Sequence, residues 1–395
     1  MQKFPPLLIL LALLSFVACV EDVAETTIQS YTDDELAAFE ATLDLPDEVH
    51  NYQVELPQHV VNLGISPTFG NFGNADQTNR LATLGRVLFY DTQLSQNKTV
   101  SCASCHDQAH GFADPVALSE GFAGEKTHRN SLALGATVSF STAYGSDNSF
   151  TNNGGRALFF WDERAGSIAE QSILTIQDDI EMGMDLNELS TRLEKEAYYS
   201  ILFRDAFGDR QINADRITRA LDAFVDAMAA THTRFDEGLN EAGDPAAPFA
   251  NFTPSENLGK QLFLNHCSSC HGERMVANSL NVANNGLEMN YTDLGIGART
   301  GFTQDAGAFK IPHLRNVALT GPYMHDGRFE TLADVVDFYS DGVVNHPNLH
   351  ENLKDGNQAR RLNLSSEEKT ALVDFLGTVS DYQLAEDVRF SDPFK

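Results

Sequence analysis

The chain has 395 residues, with 27 Lys or Arg against 56 Asp or Glu and a formal net charge of -29. Hydrophobic residues at 42% and charged residues at 21% are ordinary for a globular protein with a sizeable core, and the length suggests two or three domains. So acidic a surface repels nucleic acid and anionic lipid headgroups, which excludes nucleic acid as a partner; it either attracts a small basic protein or serves solubility alone.

In chain order, residues 1–18 read as a secretory signal: Lys3, an apolar run from Phe4 to Val17, and the small residue Ala18. Cys19 then follows directly. Val17-Ala18-Cys19 resembles a bacterial lipoprotein processing site, with Phe16 as a departure where such sites usually carry Leu. The expected location is the periplasm or cell envelope, with a lipid anchor on Cys19; the alternative is simple cleavage to a soluble product. No later segment is long and apolar enough to span a bilayer.

Residues 19–57 are acidic, with no Lys or Arg, and read as a tether and packing arm with one helical patch from Asp33 to Leu43. A first unit over 58–243 is expected to carry a helix from Arg80 to Tyr90 and longer helices over Leu186–Phe207 and Asp215–Phe235. In the last of these, Ile217, Leu221, Phe224, Val225 and Met228 recur at helical spacing. Glu241-Ala-Gly-Asp-Pro-Ala-Ala-Pro248 is the linker candidate. A second unit over 249–395 opens at the capping box Thr253-Pro-Ser-Glu256, and Ser365-Ser-Glu-Glu368 opens the last helix alike. Residues 281–310 are rich in Gly, Asn and Asp and read as loops. No stretch is strand-rich, so the fold class is mainly α. Leu84-Gly-Arg-Val-Leu-Phe89 is echoed by Leu258-Gly-Lys-Gln-Leu-Phe263, and such self-similarity predicts two related domains.

The chemistry lies just after each echo. Besides Cys19, the only cysteines are in Cys102-Ala-Ser-Cys105-His106 and Cys267-Ser-Ser-Cys270-His271, and both match C-x-x-C-H, the attachment signature of a c-type haem. Two thiols at this spacing can bond the two vinyl groups of one haem, and the adjacent histidine supplies a ligand to its iron. Zinc or disulfides would also use paired cysteines, but the pairs start 165 positions apart and neither explanation needs the trailing histidine.

At this point the chain resembles the bacterial di-haem cytochrome c peroxidases, including the MauG subgroup. The resemblance runs from about Leu81 to Leu376 and rests on the two haem motifs, Phe160-Trp-Asp-Glu-Arg164, Gln171, Glu181-Met182, Leu314-Arg-Asn-Val317 and Pro322-Tyr-Met-His-Asp-Gly327. It implies two cytochrome c-like helical domains, each with one covalent haem. His106 would ligate the peroxidatic iron, and His271 the iron that receives electrons. Glu181 would be the acid–base group over the open iron, Gln171 its hydrogen-bonding neighbour, and Trp161, the only tryptophan, a relay between the haems. Tyr339 falls where classical members place an axial methionine; the MauG subgroup has tyrosine there, so Tyr339 would be the second axial ligand of the His271 iron, and otherwise it only packs its helix face. Phe122 stands where many classical members have a histidine that blocks the first iron, so that iron is expected to be open, unless His110 or His128 intervenes. His325 would support the second haem. The resemblance also implies one Ca2+, held by Asn130 through its side chain and by Thr320 and Pro322 through carbonyls. The implied activity is reduction of hydrogen peroxide with electrons from a small donor such as cytochrome c, in a chain that is often dimeric. The alternatives are a MauG-like peroxide-dependent oxidase of a partner protein and a non-catalytic electron-transfer cytochrome.

Overall fold

The computed structural model describes residues 32–64, 73–135, 159–276 and 278–395; the signal segment and Cys19 lie outside them. The described part is mainly helical. Its strands are two antiparallel two-residue pairs, β1 (Val282–Ala283) with β2 (Phe309–Lys310), and β3 (Lys354–Asp355) with β4 (Gln358–Ala359). Among the described residues no helix is long and apolar enough to cross a membrane.

The longer helices are α1 (Asp33–Thr42), α2 (Ala75–Tyr90), α3 (Ile168–Gln177), α4 (Leu186–Leu193), α5 (Ala197–Phe207), α6 (Ala214–Ala227), α7 (Arg234–Ala242), α8 (Pro254–His266), α9 (Leu332–Asp337) and α10 (Ser366–Gly377). Two helix pairs organise two cores: α2 crosses α6 in the first, and α8 crosses α10 in the second. The sequence echo explains how. A Cβ on Gly85 would lie 2.0 Å from the Ala220 carbonyl oxygen, and one on Gly259 would lie 1.8 Å from that of Ala371. In each unit a glycine lets two helix backbones touch, and a phenylalanine four residues after the alanine, Phe224 or Phe375, packs beside it.

Two expected helices are each broken. The stretch over 186–207 divides at Glu194–Glu196 into α4 and α5. The stretch expected over 215–235 ends at Ala227, and α7 starts afresh behind the cap Thr233. The cause of the second break is distant: the N–H groups of Thr231 and His232 both donate to Asp381 Oδ2 at 2.9 Å, which takes them out of any helix ladder.

The arm is capped by a Thr32–Glu35 box and meets the end of the chain. Leu43 bridges Phe394, the Asp44 amide donates to Pro393 O at 2.7 Å, and Tyr52 Oη donates to Arg389 O at 3.1 Å. The final residues therefore leave the second core: Leu384 and Phe390 are buried in the first.

Candidate active site

Each C-x-x-C-H motif follows the helix carrying its glycine. Cys102–Ser104 forms a single 3-10 turn, and Ser268–His271 a single α turn beginning as α8 ends. The four described cysteines form no disulfide, and burial pushes three of the thiols up, Cys102 and Cys267 to about 12 and Cys105 to about 11. The two pairs pack against separate cores, and among the described residues no group of three or more His, Cys, Asp or Glu could hold a metal ion.

The histidines are arranged alike. His106 Nδ1 lies 2.9 Å from Phe112 O, and His271 Nδ1 lies 3.2 Å from Pro312 O. Burial pushes both imidazoles down, His271 to about 4. A neutral ring whose Nδ1–H is donated to a carbonyl keeps Nε2 for a metal. Ser131 Oγ sits 3.2 Å from His106 Nδ1 and 3.5 Å from Nε2.

A continuous hollow runs from Ser131, Trp161 and Gln171 to Cys267, Cys270, His271 and Tyr339. Apolar side chains such as Phe263, Ile311, Val336 and Leu372 make most of its second-unit wall. At the second motif, paired thiols, a neutral imidazole with a fixed tautomer and an apolar hollow beside them fit a covalent haem; at the first, the thiols and imidazole repeat the arrangement, and Ser131, which touches His106, lines the same hollow.

Glu181 is held by a turn in which Asp178 Oδ1 accepts from the amides of Ile180 at 2.9 Å and Glu181 at 3.0 Å. Its carbonyl accepts from the Phe122 amide at 3.1 Å. The carboxyl lies close enough to Cys102 and Cys105 for its charge to raise both thiols. Burial pushes Glu181 itself above the usual carboxylate range, opposed by a hydrogen bond from Thr175. Gln171, on α3 behind the cap Ser167, lines the hollow. Phe122 rests against Gly183, where an added Cβ would meet its ring at 2.5 Å. His128 is exposed, and His110 Nδ1 engages Asp107 Oδ2 at 2.7 Å.

Trp161 is buried where the two units meet. The flanking Phe160 and Glu163 have φ of 65° and 55°, so the loop is strained, and the Phe159–Ala165 bridge closes it. Trp161 Nε1 donates to Asn130 O at 2.9 Å, and the Lys310 amide donates to Trp161 O at 2.8 Å. Its ring meets His325 edge-on at 6.4 Å, and His325 stacks on Phe309 at 3.8 Å. Arg129 binds Asp162 at 2.8 Å and Asp293 at 2.6 Å, fastening the same seam. Asn130, Thr320 and Pro322 all face the hollow, and Asn130 Nδ2 donates to Val116 O at 3.4 Å and Ala117 O at 3.2 Å.

Tyr339 stands in a π turn, Phe338–Gly342, that continues α9, an irregularity frequent at functional sites. Its Oη accepts from Asn285 Nδ2 at 3.3 Å, and burial pushes the phenol up to about 12. Asn285, Met324 and Lys310 are among the lining residues that carry no sequence-based assignment. Met324 lies inside the quoted Pro322–Gly327 motif, whereas Asn285 and Lys310 fall in the stretch read as loop.

A family model described as di-haem cytochrome c peroxidase matches residues 79–244. The methylamine utilization protein MauG of Paracoccus denitrificans is 32% identical over 360 residues, covering 78% of this chain and 92% of that protein. The cytochrome c551 peroxidase of Nitrosomonas europaea is 29% identical over 269 residues, 67% of this chain and 72% of that protein. The crystal structure of a MauG-like protein associated with microbial copper homeostasis superposes with a TM-score of 0.67 at 29% identity, over 89% of this chain and 98% of that one. With its paired motifs, doubled helix crossing and relatives alike over most of its length, the chain belongs to the di-haem cytochrome c peroxidase family.

Proposed function

We propose that this protein is an exported di-haem peroxidase that converts hydrogen peroxide to two waters, using two electrons from a small donor protein such as cytochrome c and two protons. Cys102, Cys105 and His106 would hold one haem, and Cys267, Cys270 and His271 the other. When bound, the haems supply iron for cleavage of the O–O bond and for storage of electrons. The observation that carries the reading is Glu181, half-buried in a fixed turn beside the first cysteine pair. Its raised proton affinity suits a group that takes a proton from one peroxide oxygen and delivers it to the other, which leaves as water. Gln171 would orient the peroxide, and Trp161 would carry electrons between the units through the seam of Asn130, His325 and Phe309. A carrier without catalysis has no use for Glu181 or Gln171 in these positions.

Asn130 would offer its Oδ1 to a calcium ion together with the carbonyls of Thr320 and Pro322, since its Nδ2 is engaged elsewhere. The acidic surface suits a basic donor. Residues 1–18 and Cys19 would direct export to the periplasm or cell envelope and lipid anchoring. The chain would pair as a homodimer, which sedimentation tests.

A second reading, peroxide-dependent oxidation of a partner protein, is favoured by Tyr339 facing the second motif and by Phe122 in place of a blocking histidine. Turnover with reduced cytochrome c separates the two. For either, stopped-flow mixing of the ferric protein with peroxide tests the carrying observation. Glu181→Gln should slow the spectral change by roughly a hundredfold or more, and an unchanged rate removes Glu181 from the chemistry.

A further inference from the structure

The second-motif end of the hollow contains two soft or anionic donors, and one amide reaches both. Asn285 Nδ2 lies 3.3 Å from Tyr339 Oη and 3.7 Å from Met324 Sδ. All three side chains line the hollow that His271 faces. The amide has two N–H groups, one for each neighbour. We propose that Asn285 is a positioning residue for the second haem, holding Tyr339 toward the iron and keeping Met324, a rival axial donor, aside. This rests on the reading above that Tyr339 and His271 share one haem.

Asn285 is itself tightly placed. On one side Val282 and Ala283 pair with Lys310 and Phe309. On the other, Gly286 has φ +71, and a Cβ there would meet Val344 O at 2.5 Å. The preceding Asn284 is buried, accepts from the Gly286 amide at 2.9 Å and donates to Ala306 O at 3.1 Å. A side chain fixed on both flanks can hold a ligand to the sub-ångström tolerance that metal ligation requires. Met324 is as constrained, with φ +75, a conformation methionine seldom adopts. The two donors have opposite effects: thioether ligation raises the potential of a haem, whereas phenolate ligation favours ferric and higher states. A hydrogen bond from the Asn285 amide would stabilise the phenolate left when Tyr339 gives up its proton to solvent, the form in which its oxygen would serve as a ligand.

The test uses the full-length holoprotein and reads ligand type, not turnover. Near-infrared charge-transfer bands and the midpoint potential of the second haem are recorded for the parent protein and for Asn285→Leu, Met324→Leu, Asn285→Leu/Met324→Leu and Tyr339→Phe. The expected result for Asn285→Leu is loss of the tyrosine-type band, gain of a thioether-type band and a rise in potential. Met324→Leu alone should keep the tyrosine-type band, and the double variant should show no thioether band. Asn285→Leu with the parent's bands and potential, alongside a changed Tyr339→Phe, overturns the role of Asn285 alone. If Tyr339→Phe is also unchanged, the ligation on which the inference rests is wrong. The peroxide reaction of the same samples reports separately on the peroxidase reading.

Discussion

Arg315 belongs to the Leu314-Arg-Asn-Val317 motif, and its place in the structure sets a measurable stability effect. The guanidinium is fully buried and donates to both oxygens of Asp236, at 2.5 and 2.7 Å, to Ala230 O at 3.0 Å and to Met275 O at 2.9 Å. Asp236 also accepts from Thr233 Oγ1 at 2.7 Å and faces His59 Nε2 at 2.8 Å, so one carboxylate ties the start of the first unit to the head of α7 and the motif. Arg315→Met would leave that carboxylate enclosed with only a hydroxyl and an imidazole. Breaking such a pair from one side costs about 3–5 kcal/mol, which corresponds to a fall in Tm on the order of 10 °C for a unit of this size. Arg315→Met/Asp236→Asn should regain more than half of the loss, because no buried charge then remains. Thermal melts followed by far-ultraviolet circular dichroism, at matched haem content, measure both. Burial alone would raise the Asp236 carboxyl, but Arg315, His59 and Thr233 hold it well below the ordinary range. A depressed carboxyl contributes stability that is complete above the unfolded value near pH 4 and is lost as pH falls below it. The gap between parent and Arg315→Met should therefore narrow on acidification below about pH 4. A loss under about 1 kcal/mol, or a double variant no better than the single, would refute the reasoning.

Two further outcomes follow from other contacts. Gly259→Ala pushes a methyl to 1.8 Å from the Ala371 carbonyl oxygen and should destabilise the second unit by roughly 1–3 kcal/mol or more; denaturant midpoints check this, with Gly377→Ala, where nothing lies within 4 Å, as the tolerated control. Trp161→Phe removes the Nε1 bond to Asn130 O and the oxidisable indole, so electron arrival at the first haem after reduction of the second should slow by tenfold or more, on the order of what 1.4 kcal/mol in a barrier produces; flash photolysis or stopped-flow reduction reads the rate.

Much of the architecture was legible because it is written locally. The C-x-x-C-H pentapeptides are contiguous, and the echo around Gly85 and Gly259 marks the two helix crossings because only glycine lets the backbones meet there. The capping boxes at Thr253 and Ser365 open helices where expected. What escaped notice is set by partners far along the chain. Nothing between Met228 and Phe235 is Gly or Pro, so the sequence predicts an unbroken helix; it stops because Asp381, about 150 residues on, takes two amides. Arg315 and Asp236 are 79 residues apart, and the return of Leu384 and Phe390 to the first core depends on tail-to-arm pairing that no periodicity encodes. Asn285 lay in a polar stretch whose composition says only loop, and its meaning comes from Tyr339, 54 positions later. Glu181, Gln171 and Trp161 stood out as motif positions, whereas the turn, the hollow and the seam that place them required coordinates.

The central claim is that two porphyrins are joined to this polypeptide at Cys102/Cys105 and Cys267/Cys270. The direct measurement is the intact mass of the matured chain after denaturation in acid. The expected result is the polypeptide plus two haems, with one haem lost in Cys102→Ala/Cys105→Ala and the other in Cys267→Ala/Cys270→Ala. A matured, denatured chain that carries no porphyrin, or the same number with either pair removed, would contradict the account.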